Sequence, residues 1–437
     1  MFSLQKNLTL ILITSLSMIY FVELLITIKY SDNYTINNAI MHTNESLLEK
    51  RMKQASKLGI SFDKRKKMEV IKSYTSPGDS VLPNFHPYLL VRDKLNNNGL
   101  ASINDTIFPL GGISNKVSVG RNETGQWMIY LSDEYGFNNP PNSFLKKVDA
   151  FLVGDSYTEG ESVANDENIA SLLRENEFDV YNCGMAGNGF LVEYATIVEY
   201  ATKIKPDNVF WFYSDNDFAD LKNELKSELL IQYLNNPNYS QDLINKQLLV
   251  DSLLKKYLML KYQEFEEIQK NREKKSKLSF VNFTKLTNTR ILIYRARRKF
   301  YHFYNSLSLT SEKLSSNENE RTKTANDELF LYLREIFVLS KTLINGWGGK
   351  LYFVYLPSGN TYLDGKDDPY RDQLILLIND LQIDFIDLKN DFVNHPDPLS
   401  LFPLRSLNSH YGKNGYKIVA DKIINTLKYD KTHQNNK

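Results

Sequence analysis

The sequence predicts an α/β fold, a three-layer α/β/α sandwich in which helices cover both faces of a parallel sheet. Two observations carry this. The runs "AFLV" (150–153), "NVFWFY" (208–213) and "LYFVY" (351–355) are almost continuously apolar, the pattern of strands buried on both faces. Segments with helical periodicity stand between the first two, at Glu167 to Glu175 and Glu193 to Ile204, and after the last, at Asp372 to Leu381. Parallel neighbours need such crossovers, because a tight hairpin can only return a strand antiparallel.

The elements follow in order. "LTLILITSLSMIYFVELLITI", Leu8 to Ile28, is apolar apart from hydroxyls and Glu23. At ~1.5 Å per residue it matches a hydrocarbon core of roughly 30 Å. No small-x-small cleavage site follows in "TIKYSDN", so residues 1–30 are expected to be an uncleaved single-pass membrane anchor. Residues 31–148 read as a charged, helix-permissive stalk from Thr43 to Tyr74 and a small β-rich module from Ile107 to the Pro140-Pro141 pair. The α/β domain is expected over 149–430. It is interrupted at 221–343 by a stretch rich in Leu, Lys, Glu and Gln with almost no Gly or Pro, read as a helical insertion. "YGKNGYKIVADKIINTL" closes the domain with a helix.

Composition narrows the function. In 437 residues, 53 Lys and Arg stand against 52 Asp and Glu, a formal charge of +1 that gives no electrostatic ground for a nucleic-acid partner. One cysteine, Cys183, excludes an intramolecular disulfide and a multi-cysteine zinc site, and it reads as a small core residue. No metal or cofactor is expected. His42, His86, His302 and His433 lack matching ligands and read as surface or packing residues. The basic, aromatic stretch "RILIYRARRKFYHFY" reads as a solvated amphipathic helix, and anionic lipid suits it better than nucleic acid.

Chemistry is concentrated after the strands. Gly-Asp-Ser occurs twice. Gly78-Asp79-Ser80 lies between prolines with no apolar run before it and reads as a turn. Gly154-Asp155-Ser156 follows the first strand of the sheet, where a sharp turn can lift a serine above the strand ends; the bland alternative is a helix N-cap. A second strand is read in "DVYNCG" (179–184), before "NVFWFY" as the third, and "NCGMAGNG" (182–189) follows it and offers glycine amides. "FYSDNDFADL" follows the third and places Asn216 as a side-chain amide donor. "SHYGKNGYK" puts His410 just before the last helix. A serine, convergent amide donors and a late histidine are the parts that acyl transfer needs.

In that order, these residues resemble the four blocks of the SGNH (GDSL-type) hydrolase superfamily, over Asp149 to Leu427. The resemblance implies Ser156 as nucleophile with its own amide in the oxyanion hole, Gly187 and Asn216 as the other oxyanion donors, and His410 as general base. The segment "NETGQWMIYLSDEYGFNNP" is similar to one upstream of the catalytic domain in bacterial SGNH proteins linked to surface polysaccharides. The resemblance therefore implies an esterase or acyltransferase acting on acyl, above all acetyl, esters of a cell-envelope glycan, with its catalytic domain outside the cytoplasm. Two positions depart from the blocks. Ser214 stands where the third usually has glycine, and Leu407 stands where the fourth has the aspartate three residues before the histidine. The site is then a Ser-His dyad, or a backbone carbonyl orients the imidazole, or an acid comes from elsewhere. Asp397 and Asp391 are the nearest candidate carboxylates, and His395 is a candidate supporting group. The rival reading is a non-catalytic envelope assembly factor that keeps the fold.

Overall fold

The computed structural model describes residues 45–74, 81–145, 147–278, 312–359, 368–407 and 409–434. The expected anchor at Leu8 to Ile28, the first Gly-Asp-Ser and the basic stretch from Arg290 lie outside these residues, as do His42 and His302. Among the described residues no helix is long and apolar enough to cross a membrane.

Helices α1 (Glu45–Lys57) and α2 (Lys67–Tyr74) open the described chain. The strand β1 (Leu82–Pro83), a short helix α3 (Tyr88–Val91) and the antiparallel pair β2 (Val117–Asn122) and β3 (Trp127–Leu131) follow, with β1 parallel to β2. The main sheet holds five parallel strands, β4 (Ala150–Val153), β5 (Val180–Asn182), β6 (Asn208–Tyr213), β7 (Lys350–Tyr355) and β8 (Asp384–Asp387). Their spatial order is β5-β4-β6-β7-β8. The connections therefore leave β4 in one direction and reach β6 in the other, and the strand ends open a crevice between them, the usual ligand position in such sheets.

Alternation along each strand divides the core. Phe151, Val153, Trp211, Tyr213, Phe353 and Tyr355 face one side, Ala150, Leu152, Phe210, Phe212, Tyr352 and Val354 the other, and all are buried. The second face is covered by α5 (Ile169–Glu175) and α12 (Lys413–Gln434), through Leu173, Val419 and Ile423. The first is covered by α6 (Phe190–Thr196), α10 (Glu312–Gly346) and α11 (Arg371–Asp380). Helix α9 (Gln247–Leu278) adds Leu254 and Leu258 to the same core. Both α9 and α10 arise largely from the stretch read as an insertion, and they pack as structural helices. The upstream segment joins this core too, through Phe85, Leu89, Phe108 and Phe137. Cys183 is buried and free, as a small core residue should be.

Candidate active site

The end of β4 turns directly into the short helix α4 (Ser156–Glu159), so Ser156 is its first residue. Asp155 caps the turn by accepting from the Tyr157 amide at 3.0 Å. Gly160 ends it in the left-handed region (φ 86°), where an added Cβ would stand 2.4 Å from Asn168 Cβ; glycine is therefore needed to stop the helix after one turn.

His410 is brought to Ser156 from 254 residues away, with Nε2 2.8 Å from Ser156 Oγ. Its Nδ1 lies 3.1 Å from Glu123 Oε2, and its backbone amide donates to the same oxygen at 3.0 Å. An ionised carboxylate only accepts, so the ring proton belongs on Nδ1 and the Nε2 lone pair faces the serine hydroxyl. Ser162, held in the left-handed region at φ 79°, places its Oγ 3.3 Å from the same Nδ1. The Tyr157 ring flanks the imidazole at 5.0 Å between centroids.

Glu123 directly follows β2, and Arg51 on α1 donates to its other oxygen at 2.5 Å. A second buried carboxylate, Glu161, lies 3.5 Å from Nε2 and pairs with Arg121 at 3.1 Å. Burial works against a charged imidazole here, but Glu123, through charge and hydrogen bond, and Glu161 outweigh it and hold His410 above its ordinary value of 6.5. Burial likewise opposes the Glu123 carboxylate, and His410, Arg51 and Arg121 together hold it well below the usual range.

The acid next to His410 is thus Glu123, and the two aspartates expected from the sequence are elsewhere. Asp397 is half-exposed and paired at both oxygens with Arg405, each at 2.7 Å. Asp391 pairs with Lys422 at 3.2 Å on the surface. His395 accepts from the Asp397 amide in a local turn. Asp397 and His395 make local contacts and Asp391 pairs with a lysine of the last helix 31 residues on, whereas Glu123 and His410 are 287 residues apart. The one signal that pointed outward was Leu407, which leaves the fourth block without its acid.

His86 packs, as expected, with its ring stacked on Tyr88 at 5.8 Å, but it also has polar partners that the sequence did not show. It is buried, with Nε2 3.0 Å from Glu159 Oε2 and 2.8 Å from Asn84 Nδ2. Buried Lys67 donates to Asn84 Oδ1 at 3.1 Å, and burial pushes its ammonium down to about 7. Together with Arg121 and Glu161, these groups form a paired ionic layer between the upstream segment and α4.

The loop after β5 is held against α4: Met185 donates to the Gly154 carbonyl at 3.2 Å and Ala186 to Glu159 Oε2 at 2.9 Å. Gly187, next in the chain, has φ 70°, and a Cβ there would stand 2.6 Å from the Tyr88 ring of α3. Asn216 sits at the end of β6 and caps α7 (Asp217–Glu224) without a side-chain bond to it. Its Oδ1 accepts from Ser214 Oγ at 2.6 Å and its Nδ2 donates to Asp220 Oδ2 at 3.1 Å. Ser156 and Asn216 connect through Asp155, whose Oδ2 lies 3.3 Å from Ser156 Oγ and 2.8 Å from Ser214 Oγ. The crevice thus gathers a hydroxyl, an imidazole oriented by a carboxylate, and a carboxamide at adjacent strand ends.

No protein family and no curated protein matches this chain. Among solved structures it is similar to a "putative acylhydrolase" from Bacteroides fragilis NCTC 9343, at 11% identity and a TM-score of 0.32, over 64% of this chain and 86% of that one. A likeness that loose carries no argument about function.

Proposed function

We propose that the protein is an SGNH-type serine hydrolase or acyltransferase in which Ser156, His410 and Glu123 act as nucleophile, general base and orienting acid. The observation that carries this reading is the position of His410 between Ser156 Oγ at 2.8 Å and Glu123 Oε2 at 3.1 Å. In this mechanism Ser156 Oγ attacks the acyl carbonyl while its proton passes to His410 Nε2. Glu123 stabilises the imidazolium that results. The Ser156 amide, the Gly187 amide and Asn216 Nδ2 receive the oxyanion. Collapse of the tetrahedral intermediate breaks the ester C–O bond, and the leaving alkoxide takes the proton from Nε2. Water or a sugar hydroxyl then attacks the acyl-enzyme, and Ser156 recovers its proton.

The substrate in this proposal is an acetyl ester of a cell-envelope glycan, which the domain reaches from outside the cytoplasm on its N-terminal anchor. Support comes from the apolar run at Leu8 to Ile28 and the upstream resemblance to polysaccharide-linked proteins. A reporter active only outside the cytoplasm, fused after Lys437, tests the orientation, and a silent fusion at normal expression overturns it. The assembly-factor alternative rests on the missing fourth-block carboxylate and on Ser214; against the first stands Glu123 beside His410 Nδ1. Treating the full-length, detergent-solubilised chain with a fluorophosphonate probe tests the chemistry. Peptide mapping should place the adduct on Ser156, and S156A should not react. A folded chain that leaves Ser156 unlabelled would return the assembly-factor reading.

A further inference from the structure

Ser214 replaces the glycine usual at its position, and its hydroxyl is crowded by acceptors. Oγ lies 2.6 Å from Asn216 Oδ1, 2.8 Å from Asp155 Oδ2 and 3.2 Å from Asp217 Oδ1. A hydroxyl has one proton to give. The carboxamide oxygen can only accept, so the shortest contact, to Asn216 Oδ1, takes that proton. An ionised Asp155 would then face Ser214 Oγ lone pair to lone pair at 2.8 Å, which is repulsive. The 2.8 Å contact closes if Asp155 carries a proton on Oδ2 and donates it to Ser214 Oγ, and the remaining lone pair of Oγ meets Asp217 Oδ1 at 3.2 Å, a carboxyl that burial likewise holds well above the usual range. Its surroundings favour that form, since Asp155 is 1% exposed and burial raises its carboxyl. A neutral Asp155 also ceases to compete with His410 for the Ser156 proton, consistent with 3.3 Å to Asp155 against 2.8 Å to His410.

We infer that Ser214 is a positioning residue for the oxyanion-binding amide, relaying a hydrogen bond from protonated Asp155 to Asn216 Oδ1 and so fixing which end of the carboxamide meets the acyl group. This rests on the serine-hydrolase reading. The other end of the amide is fixed as well: Asn216 Nδ2 gives one hydrogen to Asp220, which Arg92 holds at 2.8 Å, and keeps its second for the reacting oxygen. A chain of bonds running Asp155 to Ser214 to Asn216 polarises the amide in the direction that strengthens its N–H as a donor. Glycine at this position would leave Asp220 alone to orient the carboxamide, with its oxygen unheld.

The test is steady-state hydrolysis of p-nitrophenyl acetate by the full-length chain and its variants, with melting temperature measured beside it. S214A and S214G should lower kcat about tenfold at unchanged KM, a smaller loss than the ~10² or more expected on deleting an oxyanion donor. In an N216A background, S214A should cause no further loss. D155N, whose amide can donate to Ser214 Oγ as a neutral acid does, should stay within about threefold of the parent, and D155A should fall about tenfold. Full kcat in S214A, or an equal drop in the N216A background, overturns the inference while fluorophosphonate labelling of Ser156 keeps the hydrolase reading. Failure of the parent chain to label at Ser156 overturns both.

Discussion

At the scale of single residues, His410 is governed by what lies on each side of its ring. Burial alone would depress an imidazole, and the carboxylates of Glu123 and Glu161, with Arg121 opposing them, leave it above 6.5. On the proposed mechanism His410 accepts the proton in its neutral form, so kcat/KM should rise with pH through an inflection above 6.5 and then level. In E123Q the largest raising influence is gone and burial prevails, so the inflection should move downward. A pH–rate profile of both proteins on one aryl acetate checks this, and an unchanged inflection in E123Q would show that Glu123 does not set the base. Much of the site was legible residue by residue. Ser156, Asn216 and His410 stand directly at strand ends or before a helix, and local pattern reveals such positions. Glu123 was not legible, because "RNETG" reads as an ordinary turn-flanked acid and only the folded chain brings it to Nδ1.

At the scale of elements, the strands were readable because residues buried on both faces must be apolar throughout, as "NVFWFY" is. The helical character of 221–343 was readable from its composition, but the partners of those helices were not. Helix α10 sends Phe337, fully buried, against Trp211, Phe353 and Phe190, at ring centroid distances of 5.0, 5.3 and 5.8 Å. A segment that completes the core cannot be exchanged for a linker as a detachable lid could. F337A should therefore cost about 3 to 5 kcal/mol of stability, the range for emptying a packed aromatic site. Urea titration measures it, and a loss below about 1 kcal/mol would return α10 to the role of an appended surface helix.

At the scale of the whole molecule, the described residues before Asp149 share the core of the domain that follows them. Phe85, Tyr88, Phe108 and Phe137 lie in the same core as β4, β6 and β7, and Lys67, Arg121 and Glu123 meet Glu161 and His410 across a buried ionic layer. The sequence suggested a stalk and module apart from the catalytic domain, since turn-rich composition marks a change of local structure and says nothing of shared burial. A chain beginning at Asp149 should accordingly be both poorly soluble and inactive, as it exposes that apolar surface and lacks the acid. Recovery of soluble, active protein from such a truncation would contradict this.

The central claim is that a base in the last loop and an acid in the upstream strand pair act as one catalytic unit on Ser156. The most direct measurement is kcat/KM for p-nitrophenyl acetate in E123Q, with D391N and D397N as controls and H410A as the floor. Loss of the orienting acid has cost ~10⁴ in kcat in a serine triad, so E123Q should fall by about 10³ to 10⁴ while both aspartate variants remain within about threefold of the parent. An E123Q protein within about tenfold of the parent, or a collapse of D391N or D397N as deep as that of H410A, would show that the acid lies elsewhere or that none is needed.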